Sequence, residues 1–439
     1  MEEEVLGKAY DARLVRRLVT YLQPYRWQVA VSLVLLVTNS LLQVAGPLLT
    51  KLAVDRYLAP PPVPSPTPLD SFLSPNPVTG LGQISLVYLG VLVLAFLLDF
   101  AQTYVMNWTG QMAMFDMRRQ LMERLQALDI AFFDKNPAGR LVTRVTTDVD
   151  VLNDLFTSGL VTIAGDLLML SFVLAAMFRL SPGMTFILLA VLPAVVFVTI
   201  LFRRSVLQSN RRIRVAIARI NSYLQEHVNG IAVLQLFNRE ETSGREFEKI
   251  NREHMLAFKD AIFAYGWFYP VVEFLSVLGL ALLLGYGGWR VDAGALTLGS
   301  LVAFFQYGIR FFRPIQDLSE KYNILQSAMA AAERIFKLLD TPPAIQPPAA
   351  PRSFPSAPAA IEFENVWFAY SGEEWVLRDV SFRISPGETV AVVGHTGAGK
   401  TTLISLLLRF YDVQRGAIRV GGADIREFDP RDLRRRFGV

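Results

Sequence analysis

Thr389-Val-Ala-Val-Val-Gly-His-Thr-Gly-Ala-Gly-Lys-Thr401 decides how the chain is read. Thr389 to Val393 is an apolar run of the kind found in buried strands. It leads at once into Gly394, His395, Thr396, Gly397, Ala398, Gly399, Lys400 and Thr401, and an apolar helical run follows from Thr402 to Tyr411. Strand, G-x-x-x-x-G-K-T and helix, in that order, make a phosphate-binding (Walker A) loop. The glycines let successive backbone N–H groups turn toward phosphate oxygens, and the helix N-terminus adds the positive end of its dipole. Lys400 brings a point charge to the β- and γ-phosphates, and the Thr401 hydroxyl is a ligand for Mg²⁺. ATP and Mg²⁺ are therefore the expected ligands. His395 falls at a variable position and reads as a solvent-facing loop residue.

Upstream the composition changes. Seven prolines lie within 341–360, a stiff extended linker that marks a domain boundary. Before it, the chain is too apolar for an ordinary soluble enzyme. Of 439 residues 52% are hydrophobic and only 19% charged, where soluble domains average about a quarter charged. The absence of cysteine excludes disulfides and thiolate chemistry, and three histidines make a histidine metal site a poor expectation.

A bilayer-crossing helix needs about 20 mostly apolar residues. Trp27–Thr50, Leu81–Leu98, Leu180–Phe202 and Ala293–Ile309 carry no charge, Leu155–Phe178 carries only Asp166 before its end, and Ala261–Trp289 only Glu273. Six spans are expected. Lys and Arg number 22 in segments 1–26, 99–154 and 203–260, against 4 in the alternate segments. That asymmetry puts both termini on the cytoplasmic side of a multi-pass protein of the inner or plasma membrane. Residues 59–80, with eight prolines, are then external. The acidic start, Met-Glu-Glu-Glu, lacks the basic region of a signal peptide. Within 1–26, Leu14, Val15, Leu18, Val19 and Leu22 oppose Arg13, Arg16 and Arg17, as in an amphipathic helix lying in the membrane interface.

The cytoplasmic excursions at 99–154 and 203–260 have helical periodicity and few breakers, which predicts two long hairpins. Their centres carry Phe132, Phe133, Leu236 and Phe237 beside charges. An apolar tip far from the membrane reads as a docking surface.

Several stretches resemble one family. Phe132-Phe-Asp-Lys-Asn-Pro-Ala-Gly-Arg-Leu141, with Arg144 and Asp148 beyond it, resembles the first intracellular coupling loop of ATP-binding cassette (ABC) exporters. Gly230-Ile-Ala-Val-Leu-Gln-Leu-Phe-Asn-Arg-Glu240 resembles the second, Leu296-Thr-Leu-Gly-Ser-Leu the start of the sixth span, and Ala330-Ala-Ala-Glu-Arg-Ile-Phe336 the helix that hands over to the cassette. Val366-Trp-Phe-Ala-Tyr370 resembles the segment whose aromatic stacks on adenine, which implies that role for Tyr370, and Thr402 matches the position that supports the α-phosphate. The whole chain resembles a half-transporter of the exporter type used for multidrug, lipid and peptide export. The implied layout is an interfacial elbow helix (1–26), a six-helix membrane domain with long cytoplasmic extensions (27–340), the linker (341–360) and the N-terminal part of an α/β P-loop nucleotide-binding domain (361–439).

Only 37 residues follow Thr402, and Asp432-Leu-Arg-Arg-Arg-Phe-Gly-Val439 resembles the approach to the family's Q-loop. No LSGGQ-type signature, Walker B acid or switch histidine occurs, so the expectation is a cassette cut before the Q-loop, with no catalytic residue in these 439 residues. ATP hydrolysis is then a property of the complete protein. Export further implies a second half-transporter, identical or paralogous, a lipid membrane and an amphipathic or peptide substrate. An importer on the same fold and a nucleotide-gated channel or regulatory subunit are the other readings. The Lys/Arg excess flanks the membrane, which argues against nucleic acid as partner. Asp166 and Glu273 are costly inside a bilayer and face either a substrate cavity or a partner helix, as does Asp99 nearer the edge.

Overall fold

The computed structural model describes residues 11–60, 72–355 and 357–438; much of the proline-rich stretch expected outside the membrane lies outside them. Thirteen described helices are α1 (Ala12–Thr20), α2 (Arg26–Ala53), α3 (Pro77–Ala127), α4 (Ile130–Lys135), α5 (Ala138–Val145), α6 (Thr147–Asp154), α7 (Val161–Leu180), α8 (Pro182–Asn229), α9 (Ile231–Leu236), α10 (Glu240–Asp292), α11 (Leu298–Asp340), α12 (Lys400–Leu407) and α13 (Pro430–Arg434). Four strands follow the linker: β1 (Ile361–Ala369), β2 (Trp375–Ile384), β3 (Arg415–Val420) and β4 (Ala423–Asp424). Five described helical stretches are long and apolar enough to cross a membrane, and Leu298–Phe312 at the start of α11 is a shorter apolar helix. The chain divides into two compact units.

One unit comprises Tyr25–Thr109 and Phe156–Leu325. Its core is a helical stripe. On α10, Ala257, Ala261, Ala264, Phe268, Val272, Ser276, Gly279, Leu283 and Gly287 are buried, and on α8 Met184, Leu188, Val191, Val195, Phe202, Ser209 and Ala216. Spacings of three, four and seven keep one face inward from Met184 to Ala216 of α8 and from Ala257 to Gly287 of α10. Small residues in that stripe allow close approach. A Cβ on Gly287 would lie 2.4 Å from Leu301 Cδ1. Phe202 and Phe268 stack at 3.9 Å between centroids. The expected hairpin of the second excursion is thus α8–α9–α10, with α9 at its tip.

The start of α11 is built by a cap. Thr297 Oγ1 accepts from Ser300 N at 3.2 Å, and the Asp55 carboxylate accepts from Gly299 N and Thr297 Oγ1, both at 2.8 Å. Lys51 holds the same carboxylate at 2.9 Å. Asp55 can come so near because Gly299 has no side chain; a Cβ there would sit 2.4 Å from the Lys51 carbonyl oxygen.

The other unit comprises Met1–Pro24, Gly110–Leu155 and Gln326–Val439. Here Met114, Met117 and Leu121 of α3, Val149 and Leu152 of α6, and Ala328, Ala331, Ala332 and Ile335 of α11 are fully buried. Buried Asp148 receives Arg334 in a two-pronged pair at 3.0 and 2.6 Å. Part of the apolar side of α1 meets protein: Leu18 is 1% exposed while Val19 stays 45% exposed, Tyr21 just after the helix stacks on Phe336, and Arg17 grips Asp340 with two bonds of 2.6 Å. The interfacial reading of this helix did not include that partner.

After the linker, the strands form an antiparallel sheet in the order β2-β1-β3-β4. The expected strand at 361–370 is β1. It bulges between Phe363 and Val366, where Asn365 takes φ 46° and its side-chain amide donates to Asp379 at 2.8 Å. Phe363, Val366, Phe368, Leu377, Leu406, Ile418 and Phe428 fill the core beneath. The run Thr389–Val393, expected as a buried strand, is in no described sheet, and Val393 is 87% exposed. A continuous apolar strand needs pairing neighbours and covered faces, and among the described residues no strand lies beside it.

Candidate nucleotide-binding site

The loop Gly394–Gly399 turns on two left-handed glycines, Gly397 at φ 87° and Gly399 at φ 84°. Other residues rarely adopt that conformation. At Gly399 there is a second constraint, because a Cβ would lie 2.8 Å from Leu377 Cδ2. Gly399 is also the N-cap of α12, so Lys400 opens the helix. The Lys400 ammonium bridges the loop, donating to the carbonyl oxygens of Gly394 at 2.7 Å and His395 at 2.8 Å. The cation thus stands across the concavity that a polyphosphate would fill. His395 is exposed and its Nδ1 contacts the Thr396 carbonyl at 2.9 Å, a solvent-side loop residue as expected.

Thr401 is exposed at the head of α12 and Thr402 is buried. No group of three or more acidic, histidine or cysteine side chains that could hold a metal occurs among the described residues. The group that this loop would offer to an ion carried mainly by phosphates and water is the exposed Thr401 hydroxyl. The loop and this hydroxyl fit Mg²⁺–ATP in that sense.

Tyr370 comes to the loop from the end of β1. Its hydroxyl lies 3.1 Å from Thr402 Oγ1, and its ring stays 47% exposed. Phe368 and Tyr411 stand nearly perpendicular to it, at 85° and 89°, with centroids 4.9 and 5.2 Å away. Such edge contacts hold a ring while leaving surface for a flat ligand. The structure thus brings together Tyr370, Thr402 and the whole loop.

The helix after the loop is shorter than the apolar run suggests. It ends at Leu407, and Arg409 takes the left-handed φ of 52°. Buried Arg409 is anchored to Asp412 at 3.0 Å and to the Phe428 carbonyl at 3.3 Å, which sustains the strained turn. That turn swings Tyr411 out of the helix and against Tyr370. The Tyr411 hydroxyl donates to Asp134 on α4, the expected first coupling loop. Burial first, then the Asp134 carboxylate, pushes the Tyr411 phenol above its usual range. Asp129, just before α4, accepts from the linker N–H of Ala344 at 2.9 Å. Neither Asp134 nor Tyr411 stood out among the candidate residues. The signal was present in the apolar-and-acidic tip, but its partner lies 277 residues away.

The other candidates separate. Phe132 and Phe133 pack edge to face on α4 at 5.6 Å. Leu236 and Phe237, at the tip by α9, are 74% and 66% exposed, and no cover for them is described. Asp166 of α7 lines a cavity with α2, α3 and α11 and pairs there with Lys321. Asp99 lines the same cavity and meets the Asn39 amide at 3.4 Å. Glu273 does not line it: next to Val272 on α10, it falls outside the inward stripe and is exposed.

Comparison with known proteins agrees with this architecture. Residues 29–315 match the family model of the ABC transporter transmembrane region, and residues 377–439 match the ABC transporter model. An uncharacterized ABC transporter ATP-binding protein of Bacillus subtilis is 32% identical over 437 residues, spanning 100% of this chain and 70% of that protein. A fatty acid ABC transporter ATP-binding/permease protein of Mycobacterium bovis is 34% identical over 355 residues, 80% of this chain and 55% of its own length. An ATP-dependent lipid A-core flippase of Syntrophus aciditrophicus is 29% identical, spanning 97% of this chain and 68% of the flippase. With its apolar helices, its phosphate loop and these matches, the chain belongs to the ABC transporter family, among relatives of the exporter type.

Proposed function

We propose that the chain is one half of a dimeric ATP-driven exporter that moves a hydrophobic drug, lipid or peptide across the membrane. The observation that carries the reading is the run of contacts from the phosphate loop to the helical tip: Thr402, Tyr370, Tyr411, Asp134. A nucleotide seated on the loop would touch the first two, and the last sits on the tip between the long helices. The names of the relatives (fatty acid transporter, lipid A-core flippase) support an amphipathic cargo.

In this reading Lys400 gives up its carbonyl partners for the phosphates, Tyr370 stacks on adenine, and Thr402 supports the α-phosphate. Mg²⁺ neutralises phosphate charge when bound, with Thr401 as its protein ligand. A ligand shifts a conformational equilibrium only by its differential affinity for the two states. Here ATP supplies that difference by joining two cassettes, and the tips pass the movement to the membrane helices. Both termini lie in the cytoplasm of the inner or plasma membrane.

The test pairs ATP binding with substrate flux for the complete protein in proteoliposomes. Lys400→Ala removes a charge-assisted contact, and should weaken ATP binding at least about tenfold and abolish nucleotide-driven flux. A variant that binds ATP and transports like the parent would overturn the site. Flux that needs no nucleotide, with ATP only gating it, would overturn export in favour of a channel.

A further inference from the structure

Pro47 lies inside α2 and cannot donate to the Gln43 carbonyl one turn earlier. Arg310 of α11 fills that role, its Nη1 donating to the Gln43 oxygen, while the Tyr307 hydroxyl bonds the next carbonyl, Val44, at 2.7 Å. Only one arm of the guanidinium is used in this way. The other arm lies beside Gly46 at the edge of a cavity that both residues line. A Cβ built on Gly46 would lie 3.5 Å from Arg310 Nη2, 3.7 Å from the Tyr88 hydroxyl and 3.4 Å from the Tyr88 ring. Two donors from two helices thus converge on the one place where α2 has no side chain.

That corner opens into the cavity already described, of about 760 Å³, which is within the usual range for a small-molecule site. Val91, Ala95 and Met169 form apolar wall. From Tyr88 to Asp99 the wall runs about 16 Å along α3 at 1.5 Å per residue. Its far end is occupied by partners of its own: Asp166 with Lys321, and Asp99 with Asn39. No carboxylate among the described residues pairs with Arg310. A cation in a membrane-spanning segment that faces open volume marks a ligand path.

We propose that Gly46, Tyr88 and Arg310 form a receiving corner for the acidic head group, carboxylate or phosphate, of an amphiphile whose tail lies along the α3 wall. Arg310 makes a charge-assisted bond to the head, Tyr88 adds a neutral donor, and Gly46 provides room. The proposal rests on the transport reading for its purpose, since it names the class of cargo, but not for its test.

The test is nucleotide-free equilibrium binding to the chain in lipid nanodiscs, with four labelled probes of one tail length: lauric acid, dodecyl phosphate, dodecyl glucoside and dodecyltrimethylammonium. The acidic probes should bind about tenfold or more tighter than the neutral and cationic ones. Preference for the phosphate or the carboxylate decides which head is meant, and either supports the corner. Arg310→Gln should remove the preference and leave the neutral probe unchanged. Because Arg310 also serves the Gln43 carbonyl, it is combined with Pro47→Ala, which restores the helical donor. Gly46→Leu fills the corner while keeping both donors, and should abolish the preference alone. Equal binding of all four probes, tighter binding of the cationic one, or a preference surviving either variant would overturn the proposal. Binding as expected in this chain, with no nucleotide-driven flux by the complete protein in proteoliposomes, would count against the transporter reading and leave the corner standing.

Discussion

Tyr411 joins two things that are far apart in the chain. Its ring stands against Tyr370 and its hydroxyl bonds Asp134. Tyr411→Phe keeps the ring and removes only the bond, so ATP affinity should change less than about threefold while flux per ATP bound falls several-fold. Asp134→Asn keeps an acceptor and should recover part of the loss. ATP binding lost in step with flux would instead make Tyr411 part of the nucleotide pocket. The raised phenol pKa has a direction to check as well. Such a contact is fully present below the unfolded phenol value and is lost only as pH rises through the folded one. Coupling should therefore show no alkaline decline from this bond across the neutral range.

At the scale of elements, what could be read was what local chemistry forces into adjacent residues. A phosphate cradle needs its glycines, lysine and helix start in one run, so Gly394 to Thr402 stood out. Apolar spans were readable for the same reason, since a lipid environment leaves no other way to satisfy the backbone. The capped start of α11 was half readable. Thr297-Leu-Gly-Ser300 has the look of a helix beginning, but Asp55, its other half, lies 244 residues before Gly299. The same holds for Asp148 with Arg334 and Lys321 with Asp166, which join positions 186 and 155 apart. Thr389–Val393 has the apolarity of a buried strand yet joins no described sheet, because apolarity reports what a strand needs and not what lies beside it. The cap makes a measurable case. Asp55→Ala removes two acceptors at the helix start and should cost about 1–2 kcal/mol. Gly299→Ala should cost at least as much by steric conflict with the Lys51 carbonyl. Thermal unfolding in detergent measures both, and an unchanged midpoint for Asp55→Ala would remove the cap from the account.

The two hairpin tips differ at the scale of the molecule. The first is engaged through Asp134 and Asp129, whereas the second leaves Leu236 and Phe237 open. Both tips serve one purpose only if they emerge on the same side of the membrane, the side of the phosphate loop. The 22-to-4 distribution of Lys and Arg predicts that arrangement. The chain has no cysteine, so single cysteines can be placed without background. Asn76, at the approach to α3, should label with an impermeant maleimide added outside whole cells. Lys135 on the first tip and Arg239 on the second should label only after the membrane is opened. Outside labelling at Lys135 or Arg239 would break the topology. With the topology intact, and if the second tip is a docking surface, Phe237→Ala in the complete protein should leave ATP affinity unchanged and cut flux. Unchanged flux would show that this tip packs without transmitting anything, and transmission would rest on Asp134 and Tyr411 alone.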